Sequence, residues 1–192
     1  VFGGQKRTPY LEDDQPAPLQ MYGISRVAGE FAAMAAAPDN AIIIRTCGLY
    51  GMSGARSKGG NFVDKRIQEA KDHSSLEMSC EQVVCPTYTD DLSKAVLQLI
   101  EHPKAQPGIY HLVNEGECSW YEFTKTIYEI MKLGAEVKPV DRQGMSGDMR
   151  RPIHSVLANT KAKALGITLP NWRDGLKRYL EQKYGYRTHD AF

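Results

Sequence analysis

The 192-residue chain carries 24 Lys and Arg against 23 Asp and Glu, so its formal net charge is +1 and no long-range field marks a nucleic-acid or anionic-membrane partner. With 42% hydrophobic residues, 17 Gly and 10 Pro, it has the make-up of a globular protein large enough for a real core, and disorder is excluded. No apolar run approaches the roughly 20 residues that span a bilayer. The chain opens on Val1-Phe2-Gly3-Gly4, without an initiator Met or a signal peptide. Cys47, Cys80, Cys85 and Cys118 form no Cys-x-x-Cys pair and have no His cluster near them. They read as buried, reduced thiols of a cytoplasmic protein rather than as disulfides or a zinc site.

In chain order, the proline-bearing polar stretch 5–18 predicts a loop. A helix over about 19–36 follows, with Met21, Ile24, Val27, Phe31 and Met34 at helical spacing. The β-branched run 41–46 does not alternate, which predicts a parallel-sheet strand covered on both faces. Residues 48–60 hold five glycines and read as a mobile surface loop. Asn61 is placed to cap a helix over about 62–71. Short strands are predicted near 76–78 and 83–85, and Thr89 as the cap of a helix over 90–101. Residues 108–113 read as a strand. Ser119 and Glu122 form a capping box opening a helix that stops at Gly134. A strand over 137–140, a loop over 141–152, and two last helices capped by Asn159 and Asn171 and closed by Gly166 and Gly185 complete the pattern. Strands alternating with helices predict an α/β fold with parallel pairing.

The candidate chemistry is Tyr22-Gly23-Ile24-Ser25-Arg26. Residues four apart share a helix face. Ionising a free Tyr at pH 7 costs about 4 kcal/mol, and a neighbouring cation in a dry cleft offsets part of that cost. Such a Tyr serves as a general acid or base. The spacing alone does not select this pair. Ten Tyr and 24 cations in 192 positions predict roughly one such pair by chance, whereas Tyr121/Lys125, Tyr128/Lys132 and Tyr179/Lys183 share the pattern. Those three read as solvated helix faces.

The context of Tyr22 is specific. Val1-Phe2-Gly3-Gly4, then Tyr10-x-Glu12-Asp13-x-x-Pro16, then Tyr22-Gly23-x-Ser25-Arg26-x-x-Gly29-Glu30 resembles the extended short-chain dehydrogenase/reductases. Arg45-Thr46-x-x-Leu49-Tyr50-Gly51, Gly60-Asn61-Phe62, Glu81-Gln82-x-x-x-Pro86-Thr87, Ser119-Trp120-Tyr121-Glu122-Phe123 and Arg151-Pro152-x-x-Ser155 follow in order. Together they are similar to the dTDP-4-dehydrorhamnose reductase family, from residue 1 to about 180.

The resemblance implies a partial Rossmann-like parallel sheet with a smaller α/β substrate-binding lobe. Residues 1–47 and 82–104 would be the dinucleotide-binding half, 48–81 and 105–185 the substrate lobe, and 186–192 a tail. It implies reduction of the 4-keto group of dTDP-4-dehydro-6-deoxy-L-mannose by NADPH or NADH. Tyr22 would be the proton donor and Arg26 the partner that binds the nicotinamide ribose. Asn61 and Arg151 would contact substrate, Arg151 at the diphosphate, and Gly48 would lie over the sugar where many members carry Trp. Arg26 stands where the family usually has Lys. No G-x-G-x-x-G turn occurs, so the pyrophosphate anchor is expected upstream of Val1 and the chain is expected to be the C-terminal part of such an enzyme. The expected partners are a dTDP-sugar and a second copy of the chain in a homodimer, with neither nucleic acid nor membrane. Two other readings are a nucleotide-sugar epimerase or dehydratase, and a non-catalytic regulatory subunit of the methionine adenosyltransferase type.

Overall fold

The computed structural model describes residues 1–54, 59–141, 145, 146 and 149–186. Its elements run α1 (Met21–Ala36), β1 (Ile42–Arg45), β2 (Leu49–Tyr50), α2 (Phe62–Asp72), β3 (Ser75–Ser79), β4 (Val83–Val84), β5 (Thr87–Tyr88), α3 (Thr89–Glu101), β6 (Gly108–His111), β7 (Cys118–Ser119), α4 (Trp120–Ile130), β8 (Glu136–Val140), β9 (Met145–Ser146), β10 (Met149–Arg150), α5 (Thr160–Ala164) and α6 (Trp172–Tyr184). The α/β class is as expected. Three strand pairs are parallel: β1 with β6, β2 with β5, and β3 with β8. The β4–β7 pair and the β9–β10 hairpin are antiparallel, which the uniform parallel expectation missed.

Each parallel pair is joined through helices, because parallel neighbours need a crossover. The β1–β6 pair sets Ile42 opposite Gly108 and Arg45 opposite His111. Ile42 and Ile44 pack with Leu99 from α3, Tyr110 from β6, Leu112 just beyond it and Ala162 from α5. A second core gathers Tyr50, Val63, Ile67, Phe123, Ile127, Trp172, Leu176 and Tyr179 around α2, α4 and α6. A third joins Phe2 and Tyr10 to Cys85, Val113, Val156 and Leu157, with the Phe2 and Tyr10 rings stacked at 4.2 Å. Ile42–Ile44 are only half-buried, not covered on both faces as predicted: Ile42 and Ile44 meet the α3–α5 core on one face, while Ile43 on the other joins none of the three cores among the described residues.

Helix starts follow local chemistry where the cap is local. The Ser119/Glu122 capping box forms at α4 and Asn61 Oδ1 accepts from Asp64 N–H at α2. Asn171 caps α6, which Gly185 closes in the left-handed region. Two expected caps are not used. Thr89 is the first helical residue of α3, with Tyr88 in the cap position. Asn159 turns instead to β6's continuation, accepting from Val113 N–H and donating to the Val113 carbonyl and Glu115. Inside the segment predicted as a glycine loop, residues 49–50 form β2 and Gly51 is buried; residues 55–58 lie outside the described residues. The same holds for 142–144 and 147–148 of the second predicted loop and for 187–192 of the expected tail.

Three side-chain expectations change. Tyr128 and Tyr179 are core residues rather than parts of solvated faces, because their helices turn them onto α2 and the second core. Cys80 is exposed at the end of β3 and so is not a buried thiol, Cys47 is half-buried, and Cys85 and Cys118 are buried. No helix among the described residues is long and apolar enough to cross a membrane.

Candidate functional site

Ligand crevices in parallel sheets lie outside the carboxyl ends of the strands. Here the ends of β1, β2 and β5 open into a cleft of about 1020 Å³, at the upper end of the range for small-molecule sites. The cleft brings together four of the five predicted site residues: Tyr22 from α1, Gly48 from the β1–β2 turn, Asn61 from the start of α2, and Arg151 from beyond β10. The fifth, Arg26, lies one helical turn from Tyr22 with its guanidinium 5.1 Å from the centre of the Tyr22 ring. That is cation–π distance.

Tyr22 is 68% exposed. The position of α1 rests on a bidentate bridge, with Arg45 Nε 2.9 Å from Glu30 Oε1 and Nη2 2.7 Å from Oε2. Gly48 is irreplaceable on two counts. Its φ is +62, and a Cβ there would lie 2.7 Å from the Cys85 carbonyl oxygen and 3.0 Å from Pro86 Cα. No side chain reaches over the cleft from this position.

Asn61 is buried, and its amide is fully engaged with protein. Nδ2 donates to the Gly51 carbonyl at 2.8 Å and to Tyr179 Oη at 2.8 Å, while Oδ1 accepts from Asp64 N–H at 3.0 Å. It therefore positions the cleft wall at Gly51. Arg151 is exposed at the rim, as is Lys65, which sequence reasoning did not single out. A ledge of Phe62 and Trp120, ring centres 4.4 Å apart, forms another wall. Trp120 was visible as part of the capping box, but nothing local tied it to Phe62.

Behind Asn61 lies a cluster that the sequence did not announce. Asp64 accepts hydrogen bonds from Lys183 Nζ at 2.6 Å, from Tyr184 Oη at 2.8 Å and from Tyr179 Oη. Burial pushes the Asp64 carboxyl up, but these three donors outweigh it and leave the pKa below its usual value. Burial and the bond to Asp64 raise the Tyr184 phenol, and burial is the leading cause of the rise at Tyr179. The only sequence signal was the Tyr179/Lys183 spacing. At the floor of the cleft, the Thr46 Oγ1 and Tyr50 Oη atoms are buried and have no hydrogen-bond partner. The described residues contain no group of three or more His, Cys, Asp or Glu able to hold a metal.

Residues 1–184 match the RmlD substrate binding domain family. The chain belongs to that family. It is 37% identical over 183 residues to the spore coat polysaccharide biosynthesis protein SpsK of Bacillus subtilis, covering 95% of this chain and 62% of that protein. It is 35% identical over 188 residues to a dTDP-4-dehydrorhamnose reductase of Sinorhizobium fredii, at 93% and 62% coverage. Among solved structures, the dTDP-4-dehydrorhamnose reductase of Bacillus anthracis in complex with NADP superposes with a TM-score of 0.85 at 32% identity, over 95% of this chain and 62% of that one. A UDP-glucose 4-epimerase of Thermotoga maritima, 21% identical with a TM-score of 0.77, shares the fold. The chain thus spans about 62% of the length of these reductase relatives.

Proposed function

We propose that this chain carries the substrate side of an NAD(P)H-dependent reductase that converts dTDP-4-dehydro-6-deoxy-L-mannose to dTDP-L-rhamnose. The observation that carries the reading is the convergence of Tyr22, Gly48, Asn61 and Arg151 on one cleft, with Arg26 on the Tyr22 ring, in a chain of this family. The relatives named as reductases, one of them in complex with NADP, support the same reaction and cofactor.

The residues present fit one end of a dinucleotide. Tyr22 lines the cleft with Arg26 against its ring, and the unpartnered Thr46 hydroxyl at the end of β1 is a free polar atom for a bound group. The sequence has no Gly-rich turn for the pyrophosphate. NAD(P)H, when bound, supplies the two electrons that reduce the 4-keto carbon. The protein's own work is acid–base and positional. Tyr22 Oη holds the proton that passes to the nascent C4 oxygen, and Arg26 keeps positive charge beside the phenol as it gives that proton up. Arg151 meets the diphosphate by charge. Gly48 leaves room above the sugar, and Asn61 acts through Gly51 by fixing the cleft wall. The four unpaired cysteines fit a reducing compartment, and the reading puts the enzyme in the cytoplasm, where a homodimer is the assembly to test.

The same reading divides the chain into a dinucleotide side and a substrate lobe. It takes 1–47 and 82–104 as the dinucleotide side and 48–81 with 105–185 as the substrate lobe, with β1 paired to β6 and β2 to β5 across that division.

The test uses the whole protein with the 4-keto-6-deoxy sugar nucleotide, following loss of reduced nicotinamide absorbance. Tyr22→Phe is expected to lower kcat by about 10²–10⁴-fold with KM within roughly threefold. No consumption of either cofactor by the parent protein overturns the reaction, and full activity in Tyr22→Phe removes Tyr22 from it.

A further inference from the structure

Two of the four cysteines lie side by side, Cys47 lining the cleft and Cys85 buried behind it in the third core. In the β2–β5 pair, Leu49 lies opposite Thr87 and Tyr50 opposite Tyr88, and Thr87 N–H donates to the Gly48 carbonyl at 3.1 Å. Cys47 and Cys85 stand two residues before Leu49 and Thr87, on the turns that lead into this pair. The two residues touch directly: the Cys47 thiol lies 3.4 Å from the Cys85 carbonyl oxygen, and the turn is close enough that a Cβ on Gly48 would come within 2.7 Å of the same oxygen. We propose that Cys47 and Cys85 form a redox-active dithiol, a modification site that hydrogen peroxide closes to an intramolecular disulfide beside the cleft.

The two thiols are differentiated as such a pair requires. Cys47 lines the cleft, so a small oxidant can reach it, while Cys85 is 1% exposed. The interaction between their side chains holds the Cys47 pKa below its ordinary value, and the same interaction followed by burial raises that of Cys85. Cys47, the thiol an oxidant can reach, is the attacking sulfur, and Cys85 behind it the resolving one. The Cys47 thiolate attacks one peroxide oxygen and breaks the O–O bond. The hydroxide released takes up a proton to become water, and Cys47 becomes a sulfenic acid. The Cys85 sulfur then attacks the Cys47 sulfur, the S–O bond breaks, and the Cys85 proton leaves with the hydroxyl as a second water. Two thiols lose two electrons in all, and one peroxide is reduced to two waters.

The other two cysteines are built-in controls. Cys118 is buried, with its thiol pushed up by that burial, and Cys80 is exposed at the end of β3 beside the Val140 carbonyl, away from the cleft. The disulfide would tie the turn carrying Gly48 to the segment before β5, fixing the cleft floor in one arrangement. The proposal stands independently of the catalytic reading, since its readout is covalent.

The experiment takes the reduced 192-residue chain, removes the reductant, adds hydrogen peroxide at low molar excess, and measures intact mass and alkylatable thiols after denaturation. The expected result is a loss of two hydrogens, a fall from four free thiols to two, and a peptide linking Cys47 to Cys85. Dithiothreitol should restore all four. Cys85→Ser should halt the reaction at a dimedone-reactive sulfenic acid on Cys47, and Cys47→Ser should abolish the cross-link and slow peroxide consumption at least tenfold. A bond through Cys80 or Cys118, a bond between two copies, or sulfinic acids without a cross-link in the parent chain would overturn the proposal. The parent-chain mass decides the matter even where a Ser variant fails to fold.

Discussion

Asp64→Asn tests how much the cluster behind the cleft holds α6 against α2. Asp64 is the third residue of α2, where a negative charge also meets the positive end of the helix. Its carboxylate accepts from Lys183, Tyr184 and Tyr179, and its side chain is 20% exposed against 26% for Lys183. Hydrogen bonds to a charged group contribute about 1.5–3 kcal/mol, and the partial exposure argues for the lower end. Asparagine keeps one acceptor oxygen, so it can retain the phenol contacts at the neutral strength of about 1 kcal/mol each. It loses the lysine bridge, the charge assistance, and about 0.3–1 kcal/mol of helix-end interaction. The net loss expected at pH 7 is about 2–3 kcal/mol, a large share of a typical domain's 5–15 kcal/mol.

The assay is urea unfolding of parent and variant, with m-values compared to verify that the same surface unfolds. A pH series sharpens it. The folded pKa of Asp64 is depressed, so its stabilising contribution is complete above the unfolded value near 3.9 and is lost as pH falls through the folded value. The gap between parent and variant should be constant from pH 7 to about 5 and should close below about 4. A difference under about 0.5 kcal/mol at pH 7, or one that does not narrow as pH falls below about 4, would refute the reasoning.

Arg26→Lys in the whole protein should keep or raise kcat and shift the pH optimum, because an ammonium is compact and titratable where a guanidinium is neither; a tenfold fall would mean the site is built around Arg. Burial is the main cause lowering the pKa of both His111 and His154. The unfolded chain therefore takes up protons first, and stability should decline as pH falls below about 6.5, seen as a lower melting midpoint at pH 5.5 than at 7.5. A flat profile over that interval would contradict it. Calorimetric titration of NADPH into the 192-residue chain should give no saturable heat, because the sequence lacks the glycine turn that anchors the pyrophosphate; micromolar affinity would show the anchor to lie within this chain.

What was legible in the sequence was whatever chemistry completes itself within a few residues. The capping box at α4 needs only Ser119 and Glu122, and it forms. Asn61 as a cap needs only the N–H of Asp64. Asn159 has the same local credentials, yet its amide satisfies Val113 and Glu115, 44–46 residues away, and tertiary partners win over the cap. The i, i+4 spacing of Tyr179 and Lys183 says that they share a face but not which way that face points. It points inward, onto Asp64, across 115–119 residues of chain. No local pattern reports such a contact. The convergence of Tyr22, Gly48, Asn61 and Arg151 is equally non-local, and what joined them in advance was the ordered set of family motifs rather than any spacing.

The four Tyr–cation pairs show what the third dimension adds. A tyrosine that passes a proton to a substrate needs a hydroxyl both reachable and beside a cavity of adequate size. The Tyr128 hydroxyl donates to the Arg66 carbonyl at 2.9 Å, and that of Tyr179 is held between Asp64 and Asn61. Tyr22 alone of the four lines the large cleft, and most of it is exposed. Yet α1 has a single buried residue, Gly23, seated against Pro18 where a Cβ would come within 2.8 Å of the ring carbon. Close approach fixes the helix's distance there but scarcely its rotation. Glu30 supplies the rotation. It stands four residues from Arg26 and eight from Tyr22, on the same face, and its two-point bond to the buried Arg45 clamps that face to the end of β1. The helix presents its tyrosine to the cleft because its glutamate is held by the strand whose carboxyl end opens into that cleft.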